Sequence, residues 1–456
     1  MSVFRYHALP YQPDPVRVFR QLAGLERLQW LDSGRPAISL GRYDVFVAEP
    51  LEVLVADRDH TRLRYRHGGS EILSGNDPLD LLQQRLADWP AETVRAPFAG
   101  GAVGYFGYEL GYPYQSLGRD RRATAGVPDM VVGLHDWSLI IDHDARTCWL
   151  AYRPEATMTP SRMAGLLQQT PAPLADFRLS AITPEQDRDG YERAFARISR
   201  YIHDGDCYQV NLARPLRADC TGDPLSAYLR LRELSPAAHG ACLLLPEASV
   251  LSISPERFLL LRDGEVETRP IKGTRPRGGD AAADAALRQS LLESPKDRSE
   301  NVMIVDLLRN DLGQICDIGS VSVPELFRVE SHATVHHLVS TVTGQLEAGA
   351  DACDLLRACF PGGSITGAPK RRAMEIIAEL EPRERGPYCG AIGYIGVDGA
   401  MDTSIAIRTV VWQDGTARYW AGGGLVAESE ADAEFQETVD KARAFYALAG
   451  LSPDSD

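Results

Sequence analysis

The residue types that could do chemistry gather in the second half of the chain, around one lysine. The run Glu267-Thr268-Arg269-Pro270-Ile271-Lys272-Gly273-Thr274-Arg275-Pro276-Arg277 places Lys272 between a proline and a glycine. Proline fixes φ and glycine admits unusual backbone angles, so Lys272 is expected on a shaped bend and not in a helix. A lysine desolvated on such a bend has a lowered pKa and becomes a usable nucleophile. A solvated basic loop is the competing reading. Three acidic sites recur in the same half of the chain. Glu256 lies in Ser254-Pro255-Glu256-Arg257-Phe258, Asp297 and Glu300 are three apart, and Glu434 and Glu437 repeat that spacing. On helices each pair shares one face, and two such faces could hold one Mg²⁺, a hard ion that takes carboxylates plus substrate oxygens. Plain solvated helix faces would look the same.

Two glycine clusters could offer bare amides to an anion, or form tight turns. They are Pro361-Gly362-Gly363-Ser364-Ile365-Thr366-Gly367-Ala368-Pro369-Lys370 and Ala421-Gly422-Gly423-Gly424-Leu425. The first is not a Walker A loop, because Ala368-Pro369 separates Gly367 from Lys370 and no Ser or Thr follows that lysine. His332, His336 and His337 sit among valine, threonine and leucine. In a strand the 332/336 pair would lie about 13 Å apart, which disfavours zinc. His337 then reads as an active-site polar group or a packed core histidine.

The elements that must position these residues are mixed. Residues 1 to 155 read mostly as short strands, with a hairpin of Trp137 to Asp142 and Cys148 to Tyr152 around residues 143–146. Asp77 and Pro78 open a helix. Glycines at 100, 101, 104 and 107 in an apolar strand imply tight packing. Residues 156–183, with Pro171-Ala172-Pro173, read as a linker, and 184–450 as a second region whose first helix starts at Thr183-Pro184. Helices are expected over 280–292, 296–312, 368–380 and 435–448, and a strand over 331–344. The interspersed elements indicate an α+β fold.

Composition bounds the function. The chain has 456 residues, 44% hydrophobic and 24% charged, with a formal net charge of −15. That acidity argues against a general nucleic-acid binder, and an anionic substrate must be met by local positive charge or a metal. Eight cysteines are scattered with no CxxC, so neither a zinc ribbon nor a redox pair is expected. The first 15 residues lack a basic start and an apolar run, and no apolar stretch reaches the roughly 18 residues of a membrane span. The expectation is a cytoplasmic protein with reduced thiols.

Together, SPERF, PIKGTRPRG, ENVMIVDLLRNDLG, HHLVSTVTG, PGGSITGAPKRRAMEII, GAIGYIG, MDTSIAIRT, AGGGLVAES and FQETVDKA, in this order, resemble the chorismate-utilising enzymes. The resemblance is strongest over 184–450, and Arg42-Tyr43-Asp44 and Gly100 to Glu109 resemble that family's N-terminal region. It implies two interlocked lobes on a β-sandwich core with outer helices. Anthranilate and isochorismate synthases carry alanine where Lys272 stands. The lysine form resembles the members that aminate chorismate to 4-amino-4-deoxychorismate on the route to para-aminobenzoate and folate. There, the resemblance implies, lysine attacks C2 of chorismate as the 4-hydroxyl leaves, and ammonia adds at C4 and expels it. Gln209 stands where isochorismate and salicylate synthases place a water-activating lysine.

The resemblance also implies the remaining roles. Glu256 is the acid that protonates the leaving hydroxyl, with His337 nearby. Glu300 and Glu437 bind Mg²⁺, supported by Glu434 and Asp297. Arg408, Tyr394 and the amides of Gly422 and Gly423 hold the enolpyruvyl carboxylate, and Lys441, Ser364 and Thr274 complete the pocket. Leu31-Asp32-Ser33, with Tyr43 and Phe46, resembles a tryptophan-binding motif. Nothing resembles a glutaminase nucleophile turn, so ammonia is expected from a separate glutamine amidotransferase subunit or from solution. Anthranilate synthesis and a non-catalytic chorismate-binding relative are the alternatives.

Overall fold

A computed structural model describes residues 3–38, 41–75, 77–90, 94, 97–118, 126–331 and 335–453. His332 lies outside them. Two antiparallel sheets, of thirteen and twelve strands among these residues, face each other. Valines 53, 55 and 131 and Tyr105 of the second sheet meet Ala241, Leu243 and Val250 of the first. Helices Pro15–Leu22, Pro224–Leu234 and Arg443–Leu448 cover the outside of the first sheet, and Pro78–Ala87, Pro295–Leu312 and Ala352–Cys359 that of the second. With both faces covered, strands such as Met130–His135 and Trp137–Asp142 are buried at every position. They read as continuous apolar runs instead of alternating ones.

Both sheets are built from both ends of the chain. In the first, Gln29–Asp32 lies between Tyr43–Val47 and His239–Leu244. In the second, Gly101–Phe106 pairs with Ala391–Gly396, Gly104 opposite Gly393. A Cβ on Gly104 would sit 2.0 Å from the Val131 carbonyl oxygen, so tight packing is what that glycine serves. The two sequence regions are therefore interleaved. The expected linker is structured too: Pro160–Gln168 is a helix and Phe177–Leu179 pairs with the strand Gln209–Gly222.

Most helix ends follow their sequence signals. Asp77 caps Pro78–Ala87, Asp280 caps Ala281–Glu293, and Ser294 caps Pro295–Leu312. Three differ. Thr183–Pro184 forms a two-residue strand against Gln209–Gly222, and Asp187 caps the helix Arg188–His203. The closing helix is two, Ala431–Lys441 and Arg443–Leu448. Ser331 ends the strand Ser322–Ser331, which pairs with Val335–Gln345. All eight cysteines are free and buried, and no helix among the described residues is long and apolar enough to cross a membrane.

Candidate active site

The site forms where the chain passes from one sheet to the other. Ser249–Ser254 belongs to the first sheet and Arg257–Arg262 to the second, and Glu256 stands at the crossing. Its backbone is fixed on both sides: its N–H donates to Ser254 Oγ at 3.2 Å and its carbonyl accepts from Ile405 N at 3.1 Å. The side chain is buried and accepts a hydrogen bond from Ser364 Oγ at 2.8 Å. Burial pushes its carboxyl above the ordinary range, opposed by the nearby Lys272, by the Ser364 and Ile271 hydrogen bonds, and by Lys441. Glu256 is thus disposed to carry a proton where most glutamates have lost theirs.

Lys272 lies in the strand Ile271–Pro276, whose pairing with Val335–Gln345 is irregular between Ile271 and Thr274. Gly273 takes φ +79° there, and a Cβ on it would meet Asp297 at 2.9 Å. The expected bend is therefore a bulge inside a strand, a device that re-aims a side chain. Lys272 Nζ points to the Ser364 carbonyl at 3.4 Å. Beyond the bulge Thr274 regains register opposite His337, and Thr274 Oγ1 lies 2.9 Å from His337 Nδ1. His336, one residue along, faces the other way, between Ser331 and Asp284.

Two helices bring their carboxylates to this point. Lys296 links them, 3.9 Å from Glu300 on its own helix Pro295–Leu312 and 3.6 Å from Glu434 on Ala431–Lys441. Glu437 pairs with Lys441 at 2.6 Å, and Lys441 also donates to the Gly422 carbonyl at 2.8 Å. Burial raises Glu300, with Lys272 and Lys296 opposing. Burial would raise Glu437 as well, but Lys441, Lys272 and Lys296 outweigh it and hold it below the ordinary value. The glycine cluster is not a turn. It runs inside the strand Thr416–Leu425, paired with Gln209–Gly222. A Cβ on Gly423 would lie 3.2 Å from Glu434 Oε2 and 3.4 Å from Glu437 Oε1, and one on Gly424 2.5 Å from Gln209 Nε2. Glycine there lets both carboxylates and Gln209 close in on the strand. Gln209 is fully buried and neither end of its amide has a hydrogen-bond partner. Such an orphaned group points to a ligand that satisfies it. Arg408, at φ +51°, carries no ion pair among the described residues and lies within electrostatic reach of Tyr419, whose hydroxyl bonds the Lys441 carbonyl.

The structure departs from the expected constellation at three points. Tyr394 is not with Lys272. It lies between the sheets against Phe98, in a cavity of about 490 Å³ lined also by Leu31, Ser33, Tyr43, Val45 and Arg257. Alternation along Ala391–Gly396 sends Ile392 and Tyr394 to that side. The same alternation takes Phe46 out of that cavity: Tyr43 and Val45 line it, while Phe46 packs on Trp30 and Phe19 in the core. Asp297 is engaged by Arg275 at 2.8 Å. Among the described residues no three acidic, histidine or cysteine groups gather closely enough to hold a metal unaided. The donor chemistry nonetheless fits Mg²⁺, which needs only one or two carboxylates and fills its shell with water and substrate oxygens. Glu434 and Glu437 already converge over Gly423, and Glu300 shares with Glu434 a single cation, the Lys296 ammonium.

Two residues of the site carried no motif-level signal. Lys296 is one. Arg385 is the other: fully buried, paired with Glu381 at 2.6 Å, it donates to the carbonyls of Ile365 and Asn211 at 2.9 and 2.8 Å. It thereby ties the loop of Ser364 to the strand of Gln209. The Glu381/Arg385 spacing of four is its only trace in the sequence.

Paired antiparallel sheets with a lysine among glutamates at their crossing define a class, and the chain belongs to it. The sequence pattern of the chorismate binding enzyme family matches residues 30–447. The chain is similar to aminodeoxychorismate synthase component 1 of Klebsiella aerogenes, 47% identical over 95% of this chain and 96% of that one. It is 42% identical to the aminodeoxychorismate synthase of Streptomyces pristinaespiralis, over 91% of this chain but 60% of that longer one. Among solved structures, anthranilate synthase component I from Streptococcus pneumoniae TIGR4 matches with a TM-score of 0.78 at 31% identity, covering 88% of this chain and 92% of that one.

Proposed function

We propose that the chain aminates chorismate at C4, giving 4-amino-4-deoxychorismate through a covalent adduct on Lys272. The observation that carries this reading is the arrangement about Ser364, whose carbonyl receives Lys272 Nζ at 3.4 Å while its hydroxyl donates to Glu256 at 2.8 Å. Nucleophile and acid are thereby held on one residue. The Lys272 Nζ lone pair bonds to C2 of chorismate as both ring double bonds shift by one position and the C4–O bond breaks, and the departing oxygen takes the Glu256 proton and leaves as water. Ammonia then bonds to C4, both double bonds shift back, the C2–Nζ bond breaks to restore the lysine, and a proton of the new C4 ammonium returns to Glu256. Splitting one substitution into two easier ones is what a covalent nucleophile contributes.

Arg408, with no ion pair among the described residues, suits the enolpyruvyl carboxylate, and Gln209 supplies the amide whose two ends a bound substrate satisfies. His337, held by Thr274, stands ready near the leaving group. Mg²⁺, held by Glu300, Glu437 and Glu434, would neutralise the ring carboxylate. Ammonia comes from a glutamine amidotransferase subunit, in keeping with the name "component 1" of the relatives. The cavity of Ser33 and Tyr43 is proposed to take tryptophan, its apolar walls being Leu31, Val45 and Ile392. Calorimetry with tryptophan tests that assignment, and no heat at millimolar ligand would refute it.

The main test incubates the purified chain with chorismate, Mg²⁺ and ammonium and identifies the product by mass and chromatography. Aminodeoxychorismate is expected, and Lys272→Ala should abolish it. Anthranilate as the product, or an unimpaired Lys272→Ala, would refute the reading.

A further inference from the structure

Asn301 is fully buried on the helix Pro295–Leu312, one residue after Glu300. Its Oδ1 accepts from Ser340 Oγ at 2.6 Å, and its Nδ2 has no hydrogen-bond partner among the described residues. A buried amide with one end unsatisfied costs stability, so packing alone would favour an apolar side chain of the same volume there. Ser340, in the strand Val335–Gln345, is fully buried as well.

Ser340 stands where the pairing on both sides of its strand breaks. On one side the register shifts between Glu325 and Arg328, and the Phe327 N–H, at φ +61°, donates to the Ser340 hydroxyl at 3.2 Å. On the other side the Ser340 N–H donates to the Pro270 carbonyl at 3.2 Å, just ahead of the bulge between Ile271 and Thr274. Residues in a bulge lose ladder partners, so the hold on the strand immediately before it decides where the bulged side chain points. The next N–H, that of Ile271, bonds the Glu256 carboxyl, and the next side chain is Lys272.

We propose that Asn301 is a positioning residue of the site: through Ser340 and Pro270 it fixes the entry to the bulge, and so sets Lys272 and the Ile271 N–H against Glu256. The inference rests on the function proposed above for the roles of Lys272 and Glu256. Lys272 Nζ meets the Ser364 carbonyl only at 3.4 Å, so its aim depends on where the strand sets its Cα. A displacement of about 1 Å at a reacting group costs about 10²-fold in rate. The Asn301 amide acts through Ser340 and not on the substrate, so its loss should fall on kcat and spare chorismate binding.

The test compares the full chain with Asn301→Leu, which removes the acceptor at nearly constant volume, with Ser340→Ala, which removes the hydroxyl, and with Ser340→Thr, which keeps it. Chorismate consumption with Mg²⁺ and saturating ammonium is followed across pH 6 to 9, and melting by circular dichroism. Asn301→Leu and Ser340→Ala should each lower kcat at least tenfold, with KM for chorismate within threefold of the parent. Their double variant should be no slower than the slower single one, because both cut the same link. Ser340→Thr should stay within threefold of the parent kcat. The Ile271 hydrogen bond, Lys272 and Lys441 all hold the Glu256 carboxyl down, and the buried Cys389 thiol lies within its electrostatic reach. Asn301→Leu loosens the first two and leaves Lys441 and Cys389 in place, so Glu256 should keep its proton further and the alkaline limb of kcat should move to higher pH. A kcat within twofold of the parent in both single variants would overturn the inference. So would losses that add in the double variant, or that fall on KM and melting temperature with the alkaline limb unmoved, which would mark a merely structural contact. Chorismate consumption is read apart from product identity, so a parent that gives another product sinks the proposed function while the kcat and KM split still tests Asn301.

Discussion

Glu256 has to hold a proton that Lys272 and Lys441 both work to remove. Burial wins, so its folded value lies above its unfolded one. A native state that binds that proton more tightly is favoured at low pH, and the contribution is lost as pH rises through the folded value. Glu256→Gln escapes this loss. The variant should therefore melt above the parent at pH 8, with the gap closing toward pH 4, in scanning calorimetry. Its ammonium-driven turnover should fall about 10²- to 10⁴-fold, the usual yield of a general acid. A variant less stable than the parent at pH 8 would mean that the carboxylate is needed to offset the lysines. The bland reading of these residues as solvated helix faces and a solvated loop fails where the site works: Glu434 is buried and Lys272 and Glu300 are partly so, while Glu437 is exposed and engaged by Lys441.

At the scale of elements, the loop 362–368 is held from behind by a buried ion pair. Lys370, at the start of the helix Lys370–Leu380, reaches Asp311 near the end of Pro295–Leu312 at 2.8 Å and the Cys359 carbonyl at 2.8 Å. Burial pushes Asp311 up to about 6, Lys370 opposing. Asp311→Ala leaves an unpaired buried ammonium and should cost about 3–5 kcal/mol in urea unfolding. Asp311→Leu combined with Lys370→Met should recover most of that loss, because two apolar side chains replace both charges. Equal losses in the single and double variants would show that the fold depends on the charges themselves. The lysine in this glycine-rich loop is thus structural, which agrees with the absence of the residues a phosphate-binding loop requires.

At the scale of the molecule, the interleaving of the sheets has a direct consequence. Gly101–Phe106 has Ala391–Gly396 as a neighbour, and Gln29–Asp32 has His239–Leu244. A fragment of residues 1–155 would expose sheet edges on which much of the core rests. Expressed alone, fragments 1–155 and 184–456 should each be insoluble or unfolded by circular dichroism, and soluble only when produced together. A folded 1–155 fragment would show that the regions are separate domains after all.

The sequence by itself determined what depends on local chemistry and on motif identity. The cap Asp77, the bend at Lys272-Gly273, and the choice of Lys272, Glu256, Glu300 and Glu437 as one constellation were legible. Capping and glycine geometry act over a few residues, and nine ordered motifs specify a family. Which way a strand residue faces was not legible. Tyr394 and Phe46 looked like site and pocket residues, yet each turns on a register set by a strand distant in the chain, and a one-residue difference reverses the side. Buried on both faces, these strands carry no polar alternation to reveal it. Only the tertiary structure set Lys296 between two helices more than a hundred residues apart, engaged Asp297 with Arg275, and put Asn301 against Ser340. Each of these outcomes is decided by long-range packing, which local spacing does not encode.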